Sequence, residues 1–125
     1  MKKILVLEES EPVRENLITL LEMNSYEAIY ADSGPEGFEL AINHLPDLII
    51  VDISRPTIEY FEFIKELRSN SFTENIPLIF LTSEVTEYTF KRENIFGAVA
   101  FIKNPYRAKE VLDTISNTLN NRNKF

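Results

Sequence analysis

Apolar residues cluster in five short runs along the chain, at positions 4–7, 28–31, 48–51, 78–81 and 99–102, each bounded by charged or turn-forming residues. Within a run they do not alternate with polar ones, which is the pattern of strands buried on both faces. The segments between the runs change period. Val13, Leu17, Leu20 and Leu21 recur at helical spacing, as do Phe38, Ala41, Ile42 and Leu45, then Phe61, Ile64 and Leu67, and finally Ala108, Val111, Leu112, Ile115 and Leu119. A further helix is expected around 84–94, where the pattern is weakest. Pro12 suits the first turn of the first helix. Ser33 and Glu36 form a capping-box pair with Pro35 between them, and Pro46 and Pro77 precede the third and fourth runs. Strand and helix taking turns five times predict an α/β fold: a five-stranded parallel sheet with helices on both faces and right-handed crossovers.

Length and charge narrow the function. The 125 residues suffice for one domain with a real core, expected over 1–119, and the Asn-rich end at 120–125 is expected to fray. A formal charge of -7, with no Lys/Arg run, argues against sequence-independent attraction to nucleic acid. The absence of cysteine excludes disulfides, thiolate catalysis and cysteine-bound zinc. The apolar start stops at Glu8 and Glu9, too soon for a signal peptide, and no stretch approaches a membrane span, so a cytoplasmic, soluble domain is expected.

In an open parallel sheet the ligand site lies beyond the carboxyl ends of the strands. Glu8 and Glu9 follow the first run, Asp52 the third, Thr82 and Ser83 the fourth, and Lys103, Asn104 and Pro105 the fifth. Each has a plain structural reading: a solvated turn for the glutamates, a turn residue for Asp52, a helix cap for Thr82 or Ser83. Their joint occurrence at corresponding strand ends favours a site. Carboxylates placed together repel, and a divalent cation or raised pKa values must relieve them. All-oxygen ligands favour a hard ion, magnesium first.

On these residues the chain resembles the receiver domain of two-component response regulators, through "KKILVLEESEPVRENLITLLE", "PDLIIVDISRP", "IPLIFLTSE" and "GAVAFIKNPY". The resemblance implies a (βα)5 flavodoxin-like receiver fold, with Asp52 as phosphoacceptor, Thr82 as switch hydroxyl and Phe101 as switch aromatic. It also implies that Glu8, Glu9 and Asp52 hold Mg2+. A sensor histidine kinase or phosphotransfer protein would supply the phosphoryl group. A downstream protein, or a second copy of the chain, would dock on the face of the fourth helix, fifth strand and fifth helix. With no output domain expected after residue 119, output would come through binding.

Three departures from the family pattern matter. Alignment on Gly97-Ala98 and Pro105 puts Asn104 where the family has lysine; side-chain alternation agrees, since Asn104 shares a face with Ile102, and Lys103 with Phe101. A bulge at the strand end would bring Lys103 in instead. Glutamate stands at both acidic positions, with Glu9 expected as the direct ligand; its carboxylate reaches about 1.5 Å further than that of aspartate, which predicts a weak ion site. In "RPTIEYFE", Thr57 and Tyr60 stand where the family often has glycine, leaving the loop less freedom.

Other classes on this topology fit less well. Two carboxylates replace the phosphate-binding donors of an FMN-binding flavodoxin loop, and no Gly-rich turn serves a dinucleotide or P-loop site. An aspartyl-phosphate hydrolase would need an acid two residues after Asp52, where Ser54 stands. The chain is expected not to be an enzyme beyond self-directed phosphotransfer. The rival reading on the same scaffold is a phosphorylation-independent interaction module.

Overall fold

The structure, a computed structural model, describes residues 1–54, 58–82 and 100–122. The elements are β1 (Lys3–Leu7), α1 (Glu11–Met23), β2 (Glu27–Ala31), α2 (Gly34–His44), β3 (Leu48–Asp52), α3 (Ile58–Ser69), β4 (Leu78–Thr82), β5 (Ala100–Lys103) and α4 (Ala108–Arg122). The helix expected at 84–94 lies outside the described residues, as do Ser83 and Thr57. The last helix passes the boundary expected at residue 119 and continues to Arg122.

All strands are parallel, in the order β2-β1-β3-β4-β5. The order reverses between β1 and β3, where such sheets open a crevice. Alternation along each strand builds two cores. Leu5, Leu7, Ile49, Val51, Leu78 and Phe80 meet Ala41 of α2 and Phe63, Ile64 and Leu67 of α3. Ile4, Val6, Leu48, Ile50, Ile79, Leu81 and Ile102 meet Leu17 and Leu21 of α1 and Val111, Ile115 and Leu119 of α4. These core residues are at most 7% exposed, and each fully buried aliphatic side chain contributes about 1.5–3 kcal/mol. Both faces of the sheet are therefore covered, as continuous apolar runs require.

The caps show where local chemistry sets the ends. Ser33 caps α2, its side chain accepting from the Glu36 N–H at 3.4 Å. Leu45, expected on the buried stripe of α2, is instead 49% exposed. It is the C-cap, with φ 44° and ψ 63°, and this left-handed turn swings it off the helix face.

Helices α2 and α3 approach backbone to backbone. A Cβ added at Gly34 would lie 2.7 Å from the Glu59 carbonyl oxygen and 3.3 Å from Phe63 Cβ. Gly34→Ala is therefore expected to destabilise the fold by about 1–3 kcal/mol, as overpacking does, despite alanine's better helix propensity. Urea denaturation of the two proteins measures this; an alanine variant as stable as wild type would mean that the helices separate without cost.

Candidate functional site

The strands end level with one another: Leu7 pairs with Val51, Asp52 with Leu81, and Thr82 with Lys103. Whatever follows each strand therefore collects at one edge. Glu8 is still tied to the sheet through its N–H, which donates to the Ala31 carbonyl at 3.2 Å. Arg14 Nη1 donates to the Glu8 carbonyl at 3.0 Å. The Glu8 side chain folds back so that Oε1 accepts from the Ser10 N–H at 2.9 Å. The residue is only 4% exposed, and no N–H or O–H of the described residues donates to its buried Oε2.

Asp52 reaches the same place from β3, half-buried, with Oδ1 accepting from the Ser54 N–H at 2.8 Å. Burial pushes the Glu8 carboxyl up to about 8; a hydrogen bond to Asp52 and repulsion from Asp52 and Glu9 add to this, while the Ser10 N–H opposes it. A proton on Glu8 would turn its buried oxygen into a donor, with an Asp52 oxygen accepting.

An open cleft of about 690 Å³ lies over this pair, lined by Glu8, Glu9, Ser10, Val13, Asp52, Ser54, Tyr60 and Asn104. It has room for a hydrated ion and a phosphoryl group together. No Lys, Arg or His lines it among the described residues. Asn104 lines the cleft and Lys103 does not; the latter is exposed at the end of β5. The Asn104 N–H donates to the Thr82 carbonyl at 2.9 Å, and its Nδ2 donates to Ser54 Oγ at 2.7 Å. The end of β5 is thereby joined to β4 through the main chain and to the loop after β3 through a side chain.

Thr82, at the end of β4, and Phe101, on β5, do not line the cleft. Thr82 is fully buried. Phe101 is half-buried and meets Phe80 edge-on, with ring centroids 5.5 Å apart.

The cleft offers oxygen donors only, the chemistry of a hard cation. The orphaned Glu8 Oε2 beside Asp52 fits such an ion. Among the described residues no three acidic, histidine or cysteine side chains stand close enough to enclose one. Glu8 and Asp52 make a two-carboxylate seat, and Glu9, exposed on the same cleft, would complete it by turning inward.

Four residues of the lining, Ser10, Val13, Ser54 and Tyr60, are not among those the sequence marks as a site. Tyr60 is 4% exposed in the first turn of α3. Its phenol is pushed far above the ordinary range by burial and then by Glu9, Glu8, Asp52 and Glu59, which keeps it protonated. Ser54 stands in the sequence only where a hydrolase would need an acid. The available signal was position: the first turn of a helix that follows a strand borders the strand's carboxyl end.

A family model for the response regulator receiver domain matches residues 4–116. The chain is 34% identical over 118 residues to the phosphate regulon transcriptional regulatory protein PhoB of Escherichia coli K12, covering 91% of this chain and 50% of PhoB. It thus spans about half the length of PhoB. It is 30% identical over 118 residues to the polar-differentiation response regulator DivK of Brucella ovis, covering 94% of this chain and 96% of DivK. Among solved structures, the chemotaxis protein CheY4 of Vibrio cholerae superposes with a TM-score of 0.84 at 27% identity, covering 94% of this chain and 98% of that one. From its sheet order to its acidic strand ends, the chain belongs to the response regulator receiver domain family.

Proposed function

We propose that this receiver domain accepts a phosphoryl group on Asp52 and passes the signal on through a partner-binding surface. The observation that carries the reading is the placement of Asp52 at the end of β3, with Oδ1 accepting from the Ser54 N–H and the carboxyl group beside Glu8 on an open cleft. An oxygen of Asp52 attacks the phosphorus of a phosphohistidine or a small acyl phosphate. The bond from phosphorus to the donor's nitrogen or oxygen breaks, the leaving group keeps the electron pair, and an aspartyl phosphate forms. A divalent ion bound by Glu8, Glu9 and Asp52 would neutralise the phosphoryl oxygens as they meet three carboxylates. Asn104 then offers the new group a neutral N–H where the family offers an ammonium. Thr82, at the end of β4, is the hydroxyl that the switch would recruit, and Phe101 the aromatic that would follow it.

The donor is expected to be a sensor histidine kinase or a phosphotransfer protein. The downstream partner is a protein docking around β5 and α4. No helix among the described residues is long and apolar enough to cross a membrane, and the cytoplasm is the compartment we expect.

Incubation with acetyl phosphate and magnesium tests the reading by intact mass. Wild type should gain one phosphoryl group slowly, and Asp52→Asn none. Equal labelling of both would place the reaction elsewhere. A folded wild type that takes no label would favour a phosphorylation-independent interaction module.

A further inference from the structure

We propose that Arg14 is a positioning residue for the acidic turn, and that with Tyr30 it sets how tightly the cleft holds a divalent cation. The inference rests on Glu8, Glu9 and Asp52 being the cation's ligands. Arg14 lies on α1 and is 9% exposed. Its Nη1 donates to the Glu8 carbonyl in a buried hydrogen bond of 3.0 Å. Its guanidinium carbon sits 4.9 Å from the centroid of the Tyr30 ring on β2. One planar group therefore joins three elements: α1, which carries it; the end of β1, whose carbonyl it holds; and β2, whose ring it lies over.

The carbonyl it holds belongs to the peptide that links Glu8 to Glu9. That peptide's orientation decides where both carboxylates start. Loss of the Glu8 proton puts like charges at Glu8, Glu9 and Asp52 that push the turn open, and a charged donor on its carbonyl opposes this. The tyrosine face keeps the guanidinium over the carbonyl. Partners of this kind, which touch no metal yet fix its ligands, typically change metal affinity by about 10–100-fold when removed.

Mn2+ titration followed at the amide resonances of Glu8, Glu9 and Asp52, with urea denaturation of each variant, tests the proposal. Arg14→Met should weaken Mn2+ binding about 10-fold or more in protein that remains folded. Arg14→Lys should recover only part, because it keeps the charge without the planar fork. Tyr30→Leu should weaken binding several-fold and Tyr30→Phe hardly at all, since the ring face matters and not the hydroxyl. The ring acts through Arg14, so the Arg14→Met/Tyr30→Leu double variant should bind like Arg14→Met alone. If Arg14→Met fails to fold, the two Tyr30 variants decide. Variants that bind as wild type does would overturn the clamp and leave the cation site standing. A wild type with no Mn2+ response at these amides would remove the cation site, and the proposal with it.

Discussion

Glu8→Gln is expected to make the metal-free protein more stable than wild type at pH 8, by on the order of 2–4 kcal/mol. Glu8 has its carboxyl raised from 4.5 to about 8, chiefly by burial and by Asp52. Between those values the folded protein holds a proton that the unfolded chain has released. Stability therefore falls as pH rises across this window, with a slope for one group of at most about 1.4 kcal/mol per pH unit. Below about pH 4.5 both states are protonated and the penalty vanishes. Glutamine is neutral at every pH: its carbonyl can accept from the Ser10 N–H, and its amide can donate to Asp52, replacing the shared proton. The full shift corresponds to roughly 5 kcal/mol, and part of it is the repulsion shared with Asp52. Urea denaturation in chelator at pH 5, 6.5 and 8 should show the two profiles diverging toward high pH. Divalent cation should stabilise wild type more at pH 8 than at pH 5, because ion and proton compete for the same oxygens, and should stabilise Glu8→Gln less. Parallel profiles would mean that Glu8 is solvated in the folded protein.

The second large effect is expected at Asn104. Replacing it by lysine places an ammonium on a cleft that otherwise holds three carboxylates and no lining cation among the described residues. A charged hydrogen bond contributes about 1.5–3 kcal/mol net and a neutral one about 0.5–1.5. Asn104→Lys should strengthen the phosphorylation-linked change at Thr82 and Phe101 by about 1–2 kcal/mol, or roughly 5- to 30-fold. Lys103→Ala should do little, because Lys103 is exposed and does not line the cleft. Phosphate-dependent shifts of Thr82 and Phe101 in both variants provide the measurement. Loss of the change in Lys103→Ala, with Asn104→Lys silent, would mean that the strand end bulges on phosphorylation. Two silent variants would mean that position 104 is not coupled to a switch.

The strands were legible because burial on both faces leaves an uninterrupted apolar run, a signal that needs no knowledge of neighbours. Their ends were less so: pairing continues into Asp52, Thr82 and Lys103, since the sheet's hydrogen bonds do not depend on side-chain polarity. The acidic edge could be read from chain order alone, but what the acids do to one another could not. Glu8 and Glu9 look alike in sequence, yet one is buried and the other exposed, and the contacts of Glu8 with Ala31, Arg14 and Ser10 separate them. Arg14 occupies a helical position in step with Leu17 and Leu21, so the period marked it as inward-facing. Its charge keeps it out of the apolar stripe. Tyr60 became a cleft residue only through the packing of α3, which apolar periodicity treats as core.

That packing has a mechanical consequence. With Gly34 set against the Glu59 carbonyl, the wall that carries Tyr60 is braced by a rigid helix pair, like the fixed jaw of a vice. On the opposite rim, the side-chain link across the cleft among the described residues is the hydrogen bond from Asn104 to Ser54, neutral, exposed and worth about 0.5–1.5 kcal/mol. Stiffness is thus distributed unequally around one cavity. A load applied at Asp52 would then be expected to displace β4 and β5 sooner than α2 and α3.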